Sequence, residues 1–195
     1  MTVEPTYVFL AGYGNSGDGH WQRAWHDRLP GSVWVEHADW QVADRDGWVS
    51  DVQKALWKIS GPMLVVAHSL GCLLLAEWCR NHEDPSLIGA FLVAVPNPDG
   101  VNFPGVVEGF EDPTAMELPF PAMVIASDDD PYADIDFARS MAETWGAEFI
   151  DVGARGHINV ESGIGPWDEG WGMLQVFVSR LEDPSDGPDA SQTPG

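Results

Sequence analysis

Three polar side chains in this 195-residue chain are of the types that nucleophilic acyl transfer requires, and each follows an apolar run of strand length. Ser69 lies in Ala67-His68-Ser69-Leu70-Gly71, directly behind Pro62-Met63-Leu64-Val65-Val66. A strand, a sharp turn with serine at its apex and then a helix would leave the hydroxyl exposed for attack. Ala67 and Gly71 fit that turn, because bulk two residues before or after the serine should collide with the following helix. Ser127-Asp128-Asp129-Asp130-Pro131 follows Met123-Val124-Ile125-Ala126, and Ala154-Arg155-Gly156-His157 follows Glu148-Phe149-Ile150-Asp151-Val152. A serine hydroxyl is a poor nucleophile at neutral pH. A histidine must take its proton, and a carboxylate must hold the imidazole in the right tautomer and stabilise the imidazolium. Ser69, Asp130 and His157 are the candidates. Pro131 favours Asp130 by biasing it toward an extended backbone and by fixing the backbone just after it. Asp129 is the alternative. Crowded like charges raise pKa values, so one or two of the three aspartates should point into solvent.

A fourth element of such a site lies near the amino terminus. Tyr7-Val8-Phe9-Leu10 reads as a strand and runs into Ala11-Gly12-Tyr13-Gly14-Asn15-Ser16-Gly17, a loop with enough glycine to bring backbone N–H groups close to a ligand. An oxyanion needs two such donors, and Leu70 and Tyr13 are expected to supply them. The same loop spells G-x-G-x-x-G, with Glu36 after Ser32-Val33-Trp34-Val35 as the acidic residue of a dinucleotide fingerprint. That reading is disfavoured. A net charge of -22 repels a pyrophosphate, and the serine, aspartate and histidine would then be a coincidence.

These residues need a scaffold that brings them to one edge. Strand-like runs fall at 7–11, 32–35, 62–67, 88–95, 121–127 and 148–152. Helical periodicity lies between most of them. Trp21, Trp25 and Leu29 recur every four residues after Asp18 as N-cap, and Trp48, Val52, Ala55, Leu56 and Ile59 repeat the pattern. A nearly all-apolar helix through Leu73, Leu74, Ala76, Glu77 and Trp78 should follow the serine, with further helices from Ala133 to Trp145 and from Trp171 to Leu181. Strands alternating with helices, the strands continuously apolar, predict an α/β three-layer sandwich with a mostly parallel sheet. The candidate residues then project from the carboxyl ends of strands. The segment from Pro96 to Pro119 reads either as a short irregular cover over the site or as a plain surface loop. One domain is expected over residues 1–181, followed by a disordered tail over 182–195.

Four pieces of this pattern coincide with one family. Gly12-Tyr13-Gly14-Asn15-Ser16-Gly17 with His20-Trp21-Gln22, the His68-Ser69-Leu70-Gly71 turn, Asp129-Asp130-Pro131 and Gly156-His157 span residues 7 to about 160. The chain resembles the small α/β-hydrolases that include the retinoblastoma-binding protein nine and the YdeN-like bacterial proteins. The order nucleophile, acid, histidine is that of α/β-hydrolases. The departure is Ala67 where glycine is common. The resemblance implies a serine-hydrolase site without a large cap domain, and it points to Asp130 as the acid, the aspartate directly before the proline.

Composition narrows the function classes. Nine Lys and Arg against 31 Asp and Glu leave no basic stripe for phosphates, which argues against nucleic acid and anionic membrane as partners. The acidity fits either an ordinary solvated surface or adaptation to high salt. No apolar stretch reaches the roughly 18 residues of a membrane span, and Met1 to Thr6 has no export signal, so a cytoplasmic location is expected. Cys72 and Cys79 lie about 10 Å apart along one helix, too far for a disulfide, and read as small core residues. His68 reads as a packing or hydrogen-bonding neighbour. His20 either fixes the first loop or, with Asn15, binds substrate. His26, His37 and His82 lack convincing metal-ligand spacing, and neither metal nor cofactor is expected. The ten tryptophans read as core and pocket wall. Two functions remain open: a serine hydrolase acting on small esters or amides, or a protein-interaction module that keeps the hydrolase fold, with its protein partner not readable from the sequence.

Overall fold

The computed structural model describes residues 4–110 and 116–182. The elements run β1 (Thr6–Leu10), α1 (Trp21–Arg28), β2 (Val33–Trp34), α2 (Arg45–Leu56), β3 (Met63–His68), α3 (Leu70–Cys79), β4 (Leu87–Val93), β5 (Ala122–Ala126), α4 (Ile135–Trp145), β6 (Glu148–Asp151) and α5 (Asp168–Glu182). All six strands pair in parallel, in the order β2-β1-β3-β4-β5-β6. Successive residues of a strand face opposite sides of the sheet. The central strands therefore feed two separate cores. Met63, Val65 and Ala67 of β3 pack with Trp48, Val52 and Leu56 of α2, the apolar residues of α3, and Met141 and Trp145 of α4. Leu64 and Val66 face the other way, against Trp21 and Trp25 of α1 and Leu174 and Phe177 of α5. This is the three-layer α/β sandwich expected, and its described part has no large cap.

Local structure follows the side chains. The first helix starts later than Asp18: its N-cap is His20, whose Nδ1 accepts the Gln22 N–H at 3.2 Å. An imidazole nitrogen there takes the place of the usual side-chain oxygen. Asp44 and Asp134 cap α2 and α4 in the ordinary way. Helix α3 is buried along its whole length, and its one carboxylate, Glu77, pairs with Arg80 at 3.2 Å. Both cysteines lie on α3, free and buried, and burial pushes both thiols up. Helix α5 runs through Glu182, one residue into the segment expected to be a disordered tail; residues 183–195 lie outside those described.

Candidate active site

Five segments at the carboxyl ends of β1, β3, β4, β5 and β6 converge on a single pocket. The turn after β3 carries Ser69 at φ 55° and ψ -127°, a strained conformation for a residue with a side chain. The constraint on its neighbours comes mainly from β1. A Cβ on Gly71 would collide with the Leu10 carbonyl, and one on Gly12 would lie 2.8 Å from the Ser69 Cβ. Gly71 must therefore be small where β1 runs past it.

The structure brings Ser69, His157 and Asp130 together. His157 Nε2 lies 2.8 Å from Ser69 Oγ, and His157 Nδ1 lies 2.9 Å from both carboxylate oxygens of Asp130. The side chains of His157 and Asp130 are only 8% and 4% exposed, so water competes little for these bonds. Asp130 Oδ1 also accepts the Tyr132 N–H at 2.9 Å, which fixes the carboxylate plane. The Tyr132 ring packs against the imidazole, with centroids 4.4 Å apart. Asp128 is exposed. Asp129, though exposed, does not simply face water. Its Oδ1 accepts the Ser127 hydroxyl at 2.8 Å and the Gly156 N–H at 2.6 Å, and these bonds hold its carboxyl below the usual range.

Tyr13 and Leu70 both line the pocket, and neither backbone N–H has an acceptor among the described residues. Gly14 N–H donates to the Trp40 carbonyl at 2.9 Å, tying the first loop to the segment after β2. Asn15, at φ 68°, accepts the Ser16 N–H on its own Oδ1 at 2.8 Å and turns the loop toward α1. Asn15 and His20 both line the pocket, so His20 has the capping and the pocket-lining position at once. Glu36, the acidic residue of the alternative fingerprint, is exposed.

Two further histidines sit under His157. His68 packs between His20 and His157, with ring centroids 4.8 and 4.9 Å away. Burial holds His68 well below the usual imidazole range and His20 at about 4, the neighbouring histidine charge adding to the effect. Both are therefore neutral at pH 7. The sequence reading missed Gln22 and Ser127. Gln22 is fully buried and donates to the Leu10 and Val66 carbonyls at 3.1 Å each, while accepting the Ser16 hydroxyl at 2.7 Å. It ties the ends of β1 and β3 to the first loop. Its sequence signals were its place in the His20-Trp21-Gln22 motif and its position between two core tryptophans, neither of which assigned it a role.

The pocket encloses about 290 Å³. Leu70, Pro96, Phe103, Pro104 and Val107 make an apolar wall, and Asn15, Asn159 and Glu161 lie among its polar lining. Pro96, Phe103, Pro104 and Val107 of the 96–119 segment thus line the site, while Val101 and Val106 are exposed; residues 111–115 lie outside those described. Among the described residues, no group of three or more His, Cys, Asp or Glu could hold a metal ion, and no helix is long and apolar enough to cross a membrane.

Residues 7–176 match the serine hydrolase family. The chain belongs to that family. Among solved structures, this serine hydrolase is 31% identical to a protein from Pectobacterium atrosepticum described as a YdeN-like hydrolase, with TM-score 0.80 over 91% of this chain and 92% of that one. The ydeN gene product of B. subtilis is 19% identical, with TM-score 0.76 over 90% of this chain and 100% of that one. An esterase from Rhodococcus sp. is 13% identical, with TM-score 0.64 over 91% of each chain. The last two show likeness of fold alone. Among curated protein sequences none matches.

Proposed function

We propose that this serine hydrolase cleaves small esters or amides through an acyl-enzyme on Ser69. The observation that carries the reading is the bonded series Ser69 Oγ, His157 and Asp130, at 2.8 and 2.9 Å, with Ser69 and His157 on the wall of a pocket large enough for a small substrate. Ser69 Oγ attacks the substrate carbonyl carbon while His157 Nε2 takes the hydroxyl proton. The carbonyl oxygen becomes an oxyanion between the N–H groups of Tyr13 and Leu70, donors with no other acceptor among the described residues. His157 returns the proton to the departing alkoxide or amine, leaving Ser69 acylated. Water then attacks the acyl carbon, giving its proton to His157. The second tetrahedral intermediate expels Ser69, which regains a proton as the acid leaves. Asp130 holds Nδ1 protonated throughout, so Nε2 is free to accept, and it stabilises the imidazolium. Neutral His20 and His68 add no like charge beside that imidazolium. The apolar wall is the natural place for the acyl group, with Asn15 and His20 as further contacts for the substrate.

A fluorophosphonate probe tests this without knowledge of the natural substrate. The wild-type protein should be labelled and should turn over short p-nitrophenyl esters, and Ser69→Ala should do neither while keeping its circular dichroism spectrum. A wild-type protein inert to both would return the chain to the interaction-module reading.

A further inference from the structure

The turn that carries His157 has a backbone that needs outside support. Ile158 follows it with φ 47°, and Gly156 precedes it with φ 55°. A β-branched residue in the left-handed region is an outlier that persists only where the surroundings over-determine it. Four side chains from elements distant in sequence do so. Before the histidine, the Gly156 N–H donates to Asp129 Oδ1 at 2.6 Å. Ser127 Oγ donates to the same oxygen at 2.8 Å and accepts the Arg155 N–H at 2.8 Å. At the histidine itself, its carbonyl accepts the His68 Nε2 proton at 2.9 Å. After it, the Ile158 carbonyl accepts the indole N–H of the fully buried Trp21 at 2.8 Å. The backbone is thus gripped before His157, at the Arg155 and Gly156 N–H groups, and after its Cα, at the His157 and Ile158 carbonyls, from the β5–α4 loop, the end of β3 and the start of α1.

We propose that Asp129, His68 and Trp21 are positioning residues that clamp the His157 turn and hold Nε2 within reach of Ser69. The proposal rests on the Ser69, His157 and Asp130 reading above. It gives the His20-Trp21 pair a joint purpose: His20 caps α1 and so sets the first helical turn, and Trp21 at that turn reaches across to the histidine loop. Neither Trp21 nor Asp129 lines the pocket. Removing either should therefore act on the reacting geometry and leave substrate binding alone.

The test uses Trp21→Phe, which deletes the N–H and keeps an aromatic ring, Asp129→Ala, which deletes the acceptor, and Asp129→Asn, which restores an oxygen in the same place. Each is read by hydrogen–deuterium exchange of the peptide covering 153–160 and by kcat and KM on a p-nitrophenyl ester. Trp21→Phe and Asp129→Ala should each speed exchange in that peptide and lower kcat by about tenfold to a hundredfold, the scale of an ångström-level misplacement, with KM unchanged. Asp129→Asn should recover most of the loss. Exchange as slow as wild type in both deletion variants, or faster exchange with kcat undiminished, would overturn the clamp. Asp129 is exposed, so Asp129→Ala decides the matter even if the buried Trp21 variant fails to fold. A Ser69→Ala protein that still reacts with the probe would sink the triad reading instead, and loop exchange would still report whether the clamp exists.

Discussion

Asp130→Asn is the substitution in which the structure makes the sharpest demand on one atom. The Asp130 carboxylate is 4% exposed and presents both oxygens to His157 Nδ1 at 2.9 Å, while Oδ1 also receives the Tyr132 N–H at 2.9 Å. An asparagine must keep its carbonyl oxygen at the Oδ1 position, because an NH₂ there would face the Tyr132 N–H and leave two buried donors opposed. Its NH₂ then takes the Oδ2 position beside Nδ1. An NH₂ in that place opposes a protonated Nδ1 and donates to a bare one. Although the carbonyl oxygen stays 2.9 Å from Nδ1, the balance shifts toward the tautomer with its proton on Nε2, the nitrogen that must be bare to accept from Ser69. The analogous change in serine proteases costs about 10⁴ in kcat through the wrong tautomer, equivalent to about 5 kcal/mol of transition-state stabilisation. The assay is steady-state hydrolysis of p-nitrophenyl acetate by purified Asp130→Asn, alongside Asp129→Asn and Asp128→Asn. The first should lose about four orders of magnitude in kcat, and Asp128→Asn should lose little. An Asp130→Asn enzyme keeping more than about a tenth of its activity would refute the tautomer argument; if Asp129→Asn were crippled instead, the orienting acid would move by one residue.

The buried histidines set a pH dependence of stability. In the unfolded chain His20 titrates at 6.5 and in the folded protein at about 4; the unfolded state binds more protons between those values. Stability is complete above about pH 6.5 and falls as pH drops toward 4, His20 alone accounting for about 2 kcal/mol by pH 5. Melting temperature should decline from pH 7 to 5, and His20→Asn, which keeps a capping acceptor, should flatten the decline; equal slopes in the two proteins would refute it. Gly71→Ala should destabilise by about 2–3 kcal/mol through its clash with the Leu10 carbonyl, seen as a fall of about 5–10 °C in thermal unfolding; an unchanged Tm would show that β1 can give way. Phe103 closes part of the apolar wall, so Phe103→Ala should shift the preferred p-nitrophenyl ester toward longer acyl chains; an unaltered chain-length profile would place the acyl group elsewhere.

Much of this protein is legible in one dimension because its signals are local. An apolar strand that feeds two cores needs a continuous hydrophobic run, so β3 and β4 stand out to within a residue or two at each end. The turn at Ser69 is marked because the residues around it must be small. Asp130 and His157 each follow a strand, and in a parallel sheet all strand ends fall on one edge. The spacing of Trp21 and Trp25 marks a helix without any knowledge of its partner. What the tertiary structure decided is which surface each of these residues meets. The bulk forbidden at Gly71 is forbidden by β1, a strand some 60 positions away. Asp129 and Asp130 are chemically identical neighbours, and only the approach of the β6 loop gives one the imidazole and the other the Gly156 N–H. The bonds of Gln22 and Ser127 exist only once the carbonyls, amides and hydroxyls they meet are brought from other strands and loops. A hydrogen bond depends on a distance and an angle between two groups, and when those groups lie 88 residues apart, as Ser69 and His157 do, only the folded chain sets either one.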